Sequence, residues 1–520
     1  MVMQASDLPS YYNAVDILER NLIQRADKVA LYSLEREMTF REVSDEVNRV
    51  GNALKKLGVR FGDYVGILLF DCPEWVTSYF ATLKLGAIAI SMNTLLTPQE
   101  YEYILRDSRA RVLIVQEALL PQIEAIRDSA RFLEYIIVVG EGEHDEYTSY
   151  QDWISGESST LEAAETHRED FCALNYSSGT TGEPKGILHA HKDLPLTAQL
   201  WGVNTLGLRE DDRTFAVAKL FFTFGTGGNL IFPWYVGASI VLFAGSPRVA
   251  TNILELIDRF QPTILYNAPT GYAAAMAVEA FDTRYDLSSL RLGVSAGEAL
   301  PAPVWHAWKE RTGVDIIDGI GSTEVYHIFI SNRPGDIRPG SSGKPVEGYE
   351  TRLLDLDGTE VLQGEIGNLL VKGETTALFY LHQYEKSQQT FRGEWLFTGD
   401  KYYVDADGYY WHAGRSDDMM KVGGIWVSPV EVESTLVSHP AVLECAVVGQ
   451  ADQSDLIKPK AFVCLQRGHV PSEELTNELI AYCAEKMATY KRPRWIEFVD
   501  ELPKTATGKI QRFKLREGGG

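Results

Sequence analysis

Cysteine is sparse and unpatterned. The five residues Cys72, Cys172, Cys445, Cys464 and Cys483 show no CxxC spacing, which removes a disulfide framework and a zinc cluster from consideration and fits a reducing compartment. Positive charge is also in short supply. With 49 Lys and Arg against 72 Asp and Glu, the formal net charge is -23 at pH 7, which argues against nucleic acid or an anionic membrane surface as the partner. An anionic substrate must then be met by locally basic spots. No apolar run approaches the roughly 20 residues needed to span a bilayer, and the opening MVMQASDLPS lacks a basic segment followed by an apolar one. The expectation is a cytoplasmic protein with no membrane partner. Internal repeats and low-complexity tracts are missing too, and the terminal Gly518 to Gly520 is left outside the fold.

What is present is length. A chain of 520 residues exceeds the size, about 250 to 300 residues, at which a single core stops growing, so several domains are expected. Residues 13–57 read as helical, with apolar positions recurring at three and four around a short strand-like VALYSL. Strands are expected at 63–70, 87–91, 111–115 and 135–139, with a helix at 74–85. The acidic stretch 141–170 reads as a surface connection, and 187–206 as containing a helix. Strands at 214–218, 238–243, 263–266 and 291–294 then alternate with helices at 249–260 and 271–280. Such alternation implies βαβ units: an α/β fold of mixed and parallel sheets flanked by helices. Beyond Gly340, short alternating runs with Gly and Asp turns predict a β-rich subdomain over about 340–413. A small α+β unit follows from near Gly414, with helices at 429–438 and 472–486 and strands at 445–449 and 461–466.

The chemistry concentrates first in residues 176–186, YSSGTTGEPKG. Ser177, Ser178, Thr180 and Thr181 surround Gly179 and Gly182, and Lys185 follows. Bare backbone amides, hydroxyls and one cation make a polyphosphate cradle; a flexible Ser/Thr/Gly surface loop is the alternative. A Walker A loop is excluded, because Glu183 and Pro184 precede Lys185 and Gly186 where that motif needs Gly-Lys followed by Ser or Thr. SAGEALP, from Ser295, follows the apolar RLGV and so falls at a strand's carboxyl end, where open α/β sheets bind ligands, although a tight turn also accounts for its glycine. DGIGSTE, 318–324, ends in a hydroxyl beside a carboxylate, a pair that can serve a phosphate and its magnesium or merely cap a helix. TGD at 398–400 offers one carboxylate for two vicinal hydroxyls, GRSDDMMKVGG at 414–424 reads as a charged turn or a pivot, and PKTATGKIQR at 503–512 carries Lys509 near the C-terminus.

Together, in this order, these motifs resemble the AMP-forming adenylate synthetases, the superfamily of acyl-CoA and aryl-CoA ligases, across essentially the whole chain. The resemblance implies an acid–thiol ligase that uses ATP, Mg²⁺ and coenzyme A. It implies an N-terminal domain over 1–413, a hinge at 414–418 pivoting on Asp417, and a small mobile C-terminal domain over 419–520. Lys509, Thr323, Glu324 and Lys185 would be catalytic, with Thr181 and Glu324 holding Mg²⁺. The nucleotide would be held by residues 177–182, by Gly297, Glu298 and Ala299 as the adenine turn, by Asp318 on the adenine amino group, by Gly319, Ile320 and Thr323, and by Asp400 and Arg415 on ribose and phosphate. Ile320 stands where the family more often has an aromatic residue. Gly423 and Gly424 would leave a pantetheine passage. Lys458, Lys460, Lys491 and Arg492 are candidate CoA phosphate contacts or simply solvated charges.

By the same analogy the acid pocket is lined by Lys219, Phe221, Phe222, Phe224, Gly225, Tyr266, Ala268, Pro269, Gly271, Tyr272, Gly321 and His327. These aromatics suit a ring rather than a long acyl chain, though each could equally be core. The segments look most like those of benzoate-CoA ligases. Gly271 leaves room for a substituted or alicyclic ring. A module that loads a carrier protein, a pseudo-ligase and a luciferase-like oxidase are the other classes, and self-association into a homodimer is compatible with the sequence.

Overall fold

The computed structural model describes residues 2–142, 146–177, 183–246, 249–355, 357–415, 418–422, 425–452, 456–504 and 510–517. It is a mixed α/β structure with a large N-terminal domain and a smaller C-terminal one.

A seven-stranded sheet is built outward from Tyr64–Leu68. Ile88–Ser91 pairs with it in parallel on one side and Val112–Gln116 on the other. Tyr135–Val139 and Thr148–Ser149 extend one edge, and Phe171–Ser177 the other. Lys185–Ala190 closes that second edge as an antiparallel hairpin, with Ser177 opposite Lys185. Period-two alternation sends Val65, Ile67, Val112 and Ile114 into one core and Leu68, Leu113 and Val115 into another. Such strands are apolar throughout because both faces are buried.

The nine-stranded second sheet runs, in parallel through its middle, Asp315–Gly321, Leu292–Ser295, Ile264–Asn267, Arg213–Ala216, Ser239–Val241 and Val29–Tyr32. Ile328–Ser331 and Glu37–Thr39 flank it antiparallel. Its Ile240, Ile264, Val294 and Ile317 enter the same core as Val65 and Ile67, so the inner faces of both sheets share one apolar interior. Helix Phe40–Lys56 shows how the sequence forms the packing between them. Thr39 accepts from the Glu42 amide at 3.2 Å while the Glu42 carboxylate accepts from the Thr39 amide at 2.7 Å, a reciprocal cap. Phe40, Val43, Val47, Val50 and Leu54 then recur on one buried face.

One expectation is corrected here. The stretch 141–170 carries a short helix, Tyr150–Ile154, whose Tyr150 is buried with its hydroxyl 2.7 Å from that of Thr77. Two apolar residues in a polar run were enough to dock it. The helix expected within 187–206 is present as Asp193–Thr197, continuing into a π-turn, Ala198–Val203, and an unexpected strand, Lys185–Ala190, precedes it. The strand KGILHA exists because Phe171–Ser177 offers it a partner, which no local pattern signals.

Beyond the second sheet, Glu350–Leu354, Gly367–Lys372, Trp395–Val404, Phe391–Arg392 and Tyr410–Arg415 form an antiparallel five-stranded sheet. In the C-terminal unit, Val442–Ala451, Ile457–Leu465 and Trp495–Phe498 make a three-stranded sheet. Helices Pro429–Val437 and Glu473–Lys486 share a separate core with it through Val432, Leu436, Val447, Val463 and Leu479. Among the described residues, no helix is long and apolar enough to cross a membrane.

Candidate active site

In the second sheet the strand order reverses at Arg213–Ala216: the chain runs to Ser239–Val241 on one side and returns to Ile264–Asn267 on the other. A crevice opens at the carboxyl ends of parallel strands at such a point. Four of the motif segments leave the sheet there, after Ala216, Asn267, Ser295 and within Asp315–Gly321.

Gly297 adopts φ +95, a conformation that favours glycine, and turns the chain with Glu298 and Ala299 at the strand end. Asp318 lies beside Ser295 in register and is buried. Burial pushes its carboxyl up to about 8, against the pull of the nearby Ser295 hydroxyl and the Leu300 and Gly319 amides. Its Oδ1 has no hydrogen-bond donor among the described residues. Gly319 and Gly321 are required by the hairpin: a Cβ would stand 2.7 Å from the Ile330 carbonyl or 2.5 Å from that of His327. Ile320 pairs with Ile330 and packs against the core.

The turn Thr323–Val325 then presents Thr323 and Glu324. His189 holds it from behind, its Nε2 2.7 Å from the Thr323 carbonyl and its Nδ1 3.1 Å from Asp193. Tyr380 holds it in front, donating its hydroxyl to Glu324 Oε1 at 2.8 Å while its ring lies 4.8 Å from the Lys185 ammonium. Burial lowers the Lys185 pKa and the charge of Glu324 opposes that shift. Tyr326 follows at φ +74, ψ -45, a strained reverse turn that separates Thr323 and Glu324 from His327. On the antiparallel sheet, Arg415 Nη1 donates to Asp400 Oδ1 at 3.0 Å and to the Thr398 carbonyl at 3.2 Å.

Around His327, rings interlock. His327 sits 4.9 Å from Trp201, 5.5 Å from Phe224 and 4.7 Å from Phe232, and Tyr266 meets Phe224 at 5.7 Å. Burial depresses the His327 imidazole to about 3, so it is neutral. Gly227 and Gly228 permit this closeness, since a Cβ would fall 2.6 Å from His327 Cδ2 or 2.5 Å from the Tyr266 ring. Two π-turns, Ala198–Val203 and Gly227–Ile231, carry the helical wall. Phe221 and Phe222 meet edge-on at 4.5 Å, and Gly225 is needed because a Cβ would collide with the Lys219 carbonyl at 2.1 Å. Ala268 and Pro269 start helix Pro269–Met276, with the Asn267 side chain accepting from the Ala268 amide at 2.9 Å.

Three of the pocket candidates have partners of their own. Tyr272 belongs to the opposite core, donating to the Leu265 and Val294 carbonyls and packing on Trp308, because it points down the helix away from the crevice. Lys219 is committed to the Phe243 carbonyl and lies 4.0 Å from buried Asp71, which accepts from the Leu220 amide at 3.1 Å. The space left by Gly271 is filled by the Asn267 amide, 2.0 Å from where a Cβ would be, so it offers no room to a larger ring. Among the candidate CoA contacts, Lys491 pairs with Glu431 at 2.6 Å, Lys460 with Glu497 at 2.9 Å, and Arg492 donates to the Ala484 and Met487 carbonyls. Ser178, Gly179, Thr180, Thr181, Gly182, Asp417, Gly423, Gly424 and Lys509 lie outside the described residues. His189, Trp201, Phe232 and Tyr380 were not singled out from the sequence. Only His189, at the end of an apolar run just after the Gly-rich loop, carried any local signal.

Residues 18–381 match the AMP-binding enzyme family and residues 431–509 the AMP-binding enzyme C-terminal domain. The chain belongs to the AMP-binding enzyme family. As a member of that family it is an AMP-forming acid–thiol ligase, and a benzoate–CoA ligase of Thauera aromatica is 48% identical over 98% of this chain and 97% of its own. The crystal structure of the anthranilate CoA ligase AuaEII in complex with anthranoyl-AMP superposes with TM-score 0.97 at 71% identity, covering 99% of this chain and 98% of that one. A benzoate CoA ligase from Burkholderia xenovorans has TM-score 0.90 at 40% identity, covering 97% of this chain and all of that one.

Proposed function

We propose that this AMP-binding enzyme converts a benzoate-type ring acid to its CoA thioester, and that the acid is 2-aminobenzoate. The observation that carries the choice of acid is the 71% identity, over nearly the full length, to the ligase crystallised with anthranoyl-AMP. The cluster of Phe224, Tyr266 and neutral His327 supports a planar ring, and the Asn267 amide beside Gly271 speaks against a bulkier alicyclic one.

Hydroxide is too poor a leaving group for a thiol to displace from a carboxylate, so the acid is first activated. A carboxylate oxygen attacks the α-phosphorus of ATP, the bond to the bridging oxygen breaks, and pyrophosphate leaves. The chain's part is positioning and charge neutralisation. Asp318 and the Gly297 turn hold adenine, Asp400 with Arg415 holds ribose, and Lys185, Thr323 and residues 177–182 hold the phosphates. Glu324 keeps Oε2 without a hydrogen-bond partner among the described residues, which fits a hard cation that takes few protein oxygens and several from phosphate. Glu324 and Thr181 would hold Mg²⁺, which when bound would supply charge neutralisation. Lys509 bridges the carboxylate and the α-phosphate. The C-terminal domain, 419–520, then turns about Asp417, the CoA sulfur attacks the acyl carbon past Gly423 and Gly424, and AMP departs.

Pyrophosphate release, measured with 2-aminobenzoate, benzoate, hydroxybenzoates and cyclohexane carboxylate, with and without CoA, tests this. The highest kcat/KM for 2-aminobenzoate, with a thioester only when CoA is present, is expected. A higher value for benzoate or for an alicyclic acid overturns the choice of acid, and turnover without CoA overturns the acceptor.

A further inference from the structure

We infer that Tyr380 is a positioning residue that couples the lysine of the Gly-rich hairpin to the magnesium carboxylate, so that the phosphate cradle is assembled through one side chain. Lys185 lies on an edge strand of the first sheet and Glu324 on the turn between two strands of the second, with no backbone pairing between those strands. Tyr380 joins them: its hydroxyl donates to Glu324 Oε1 at 2.8 Å and its ring lies 4.8 Å from the Lys185 ammonium.

The segment carrying it is fastened at both ends to the same two elements. The Ala377 amide donates to the Glu324 carbonyl at 2.7 Å, and the Leu381 amide to the Gly186 carbonyl at 2.8 Å, while Tyr380 bridges Ile187. Ser387 Oγ accepts from the Tyr380 amide at 2.9 Å, and Ile187, Ala377 and Tyr380 pack as a small core of their own against Phe391. Tyr380 is only 2% exposed.

A donor on one carboxylate oxygen directs the other towards a cation. The ring face, whose quadrupole attracts a cation, keeps an ammonium partly withdrawn from water in place until phosphate arrives. The two halves of the side chain therefore have separable effects. Tyr380→Phe removes the hydroxyl and keeps the ring, and Tyr380→Leu removes both. This inference rests on the reading of Glu324 as the magnesium ligand, and that reading has its own control.

The experiment is calorimetric titration of ATP into the full-length protein, in Mg²⁺ and in EDTA, without acid or CoA. In the wild type Mg²⁺ tightens ATP binding. Tyr380→Phe is expected to diminish that gain by about tenfold, the usual effect of losing a partner that orients a metal ligand, with the affinity in EDTA unchanged. Tyr380→Leu is expected to weaken binding in EDTA as well. Glu324→Gln alone should abolish the gain, and adding Tyr380→Phe to it should change nothing further. An unchanged gain in Tyr380→Phe, or equal losses in Mg²⁺ and EDTA, overturns the coupling. A gain that survives Glu324→Gln instead overturns the magnesium assignment, whatever Tyr380 does.

Discussion

Arg415 lies across the bare backbone of Gly399 to reach Asp400, its Nη1 3.0 Å from Asp400 Oδ1 on the neighbouring strand. Gly399 holds φ +78, and a Cβ there would stand 2.8 Å from Arg415 Nη2. Gly399→Ala is therefore expected to displace the guanidinium, destabilise the fold by about 1 to 3 kcal/mol through the strained φ, and weaken ATP binding. Calorimetry of ATP binding alongside thermal unfolding checks it. Unchanged ATP affinity would separate Arg415 from the nucleotide.

The buried Asp318 carboxyl predicts a pH dependence. Its folded pKa, about 8, lies above the unfolded value near 4, so between those values the native state holds the extra proton. Stability then falls as pH rises through that window, by at most about 1.4 kcal/mol per pH unit, and levels off above it. Asp71, pushed up to about 6 by burial, adds the same sign only in the lower part, while His191 and His327, held by burial at about 3, act in the opposite sense up to the unfolded histidine value near 6.5, so the interval from pH 7 to 8 reports mainly on Asp318. Urea unfolding at both pH values should show the wild type losing stability and Asp318→Asn losing less. Equal slopes would place the shift elsewhere.

Ring packing leaves no room for a side chain at Gly227, because a Cβ would meet His327 Cδ2 at 2.6 Å and Phe232 Cζ at 2.8 Å, neither of which is the end of a flexible chain. Gly227→Ala is expected to raise KM for the ring acid several-fold while leaving KM for ATP alone, in steady-state assays with each substrate varied. A change in the ATP term instead would mean that His327 reports to the nucleotide side.

Lys509→Ala is expected to abolish acyl-adenylate formation and to spare thioester formation from supplied adenylate. Single-turnover assays of the two half-reactions distinguish them. Equal loss in both contradicts a lysine that serves one conformation.

Much of the architecture was legible from the chain alone where strands are buried on both faces. Residues 63–70, 111–115 and 135–139 read as uninterrupted apolar runs because a parallel sheet covered by helices leaves no polar face. The same holds for the helices with strong caps, such as Phe40–Lys56. Legibility failed at Lys185–Ala190, whose strand depends on a partner, and at Tyr150–Ile154, whose two apolar anchors are diluted in an acidic stretch.

The sequence by itself determined the family and the order of its chemical groups, since glycines, hydroxyls, carboxylates and lysines at set spacings are properties of contiguous segments. Only the tertiary structure decided which aromatic residues share a pocket and which partners steady Glu324. Tyr272 and Tyr266 lie six positions apart on one segment, yet one enters the outer core and the other the ring cluster. Tyr380 reaches Glu324 across 56 residues of chain. Side-chain direction and long-range closure follow from packing of the whole core, where each ring takes the space its neighbours leave, and no local pattern carries that information.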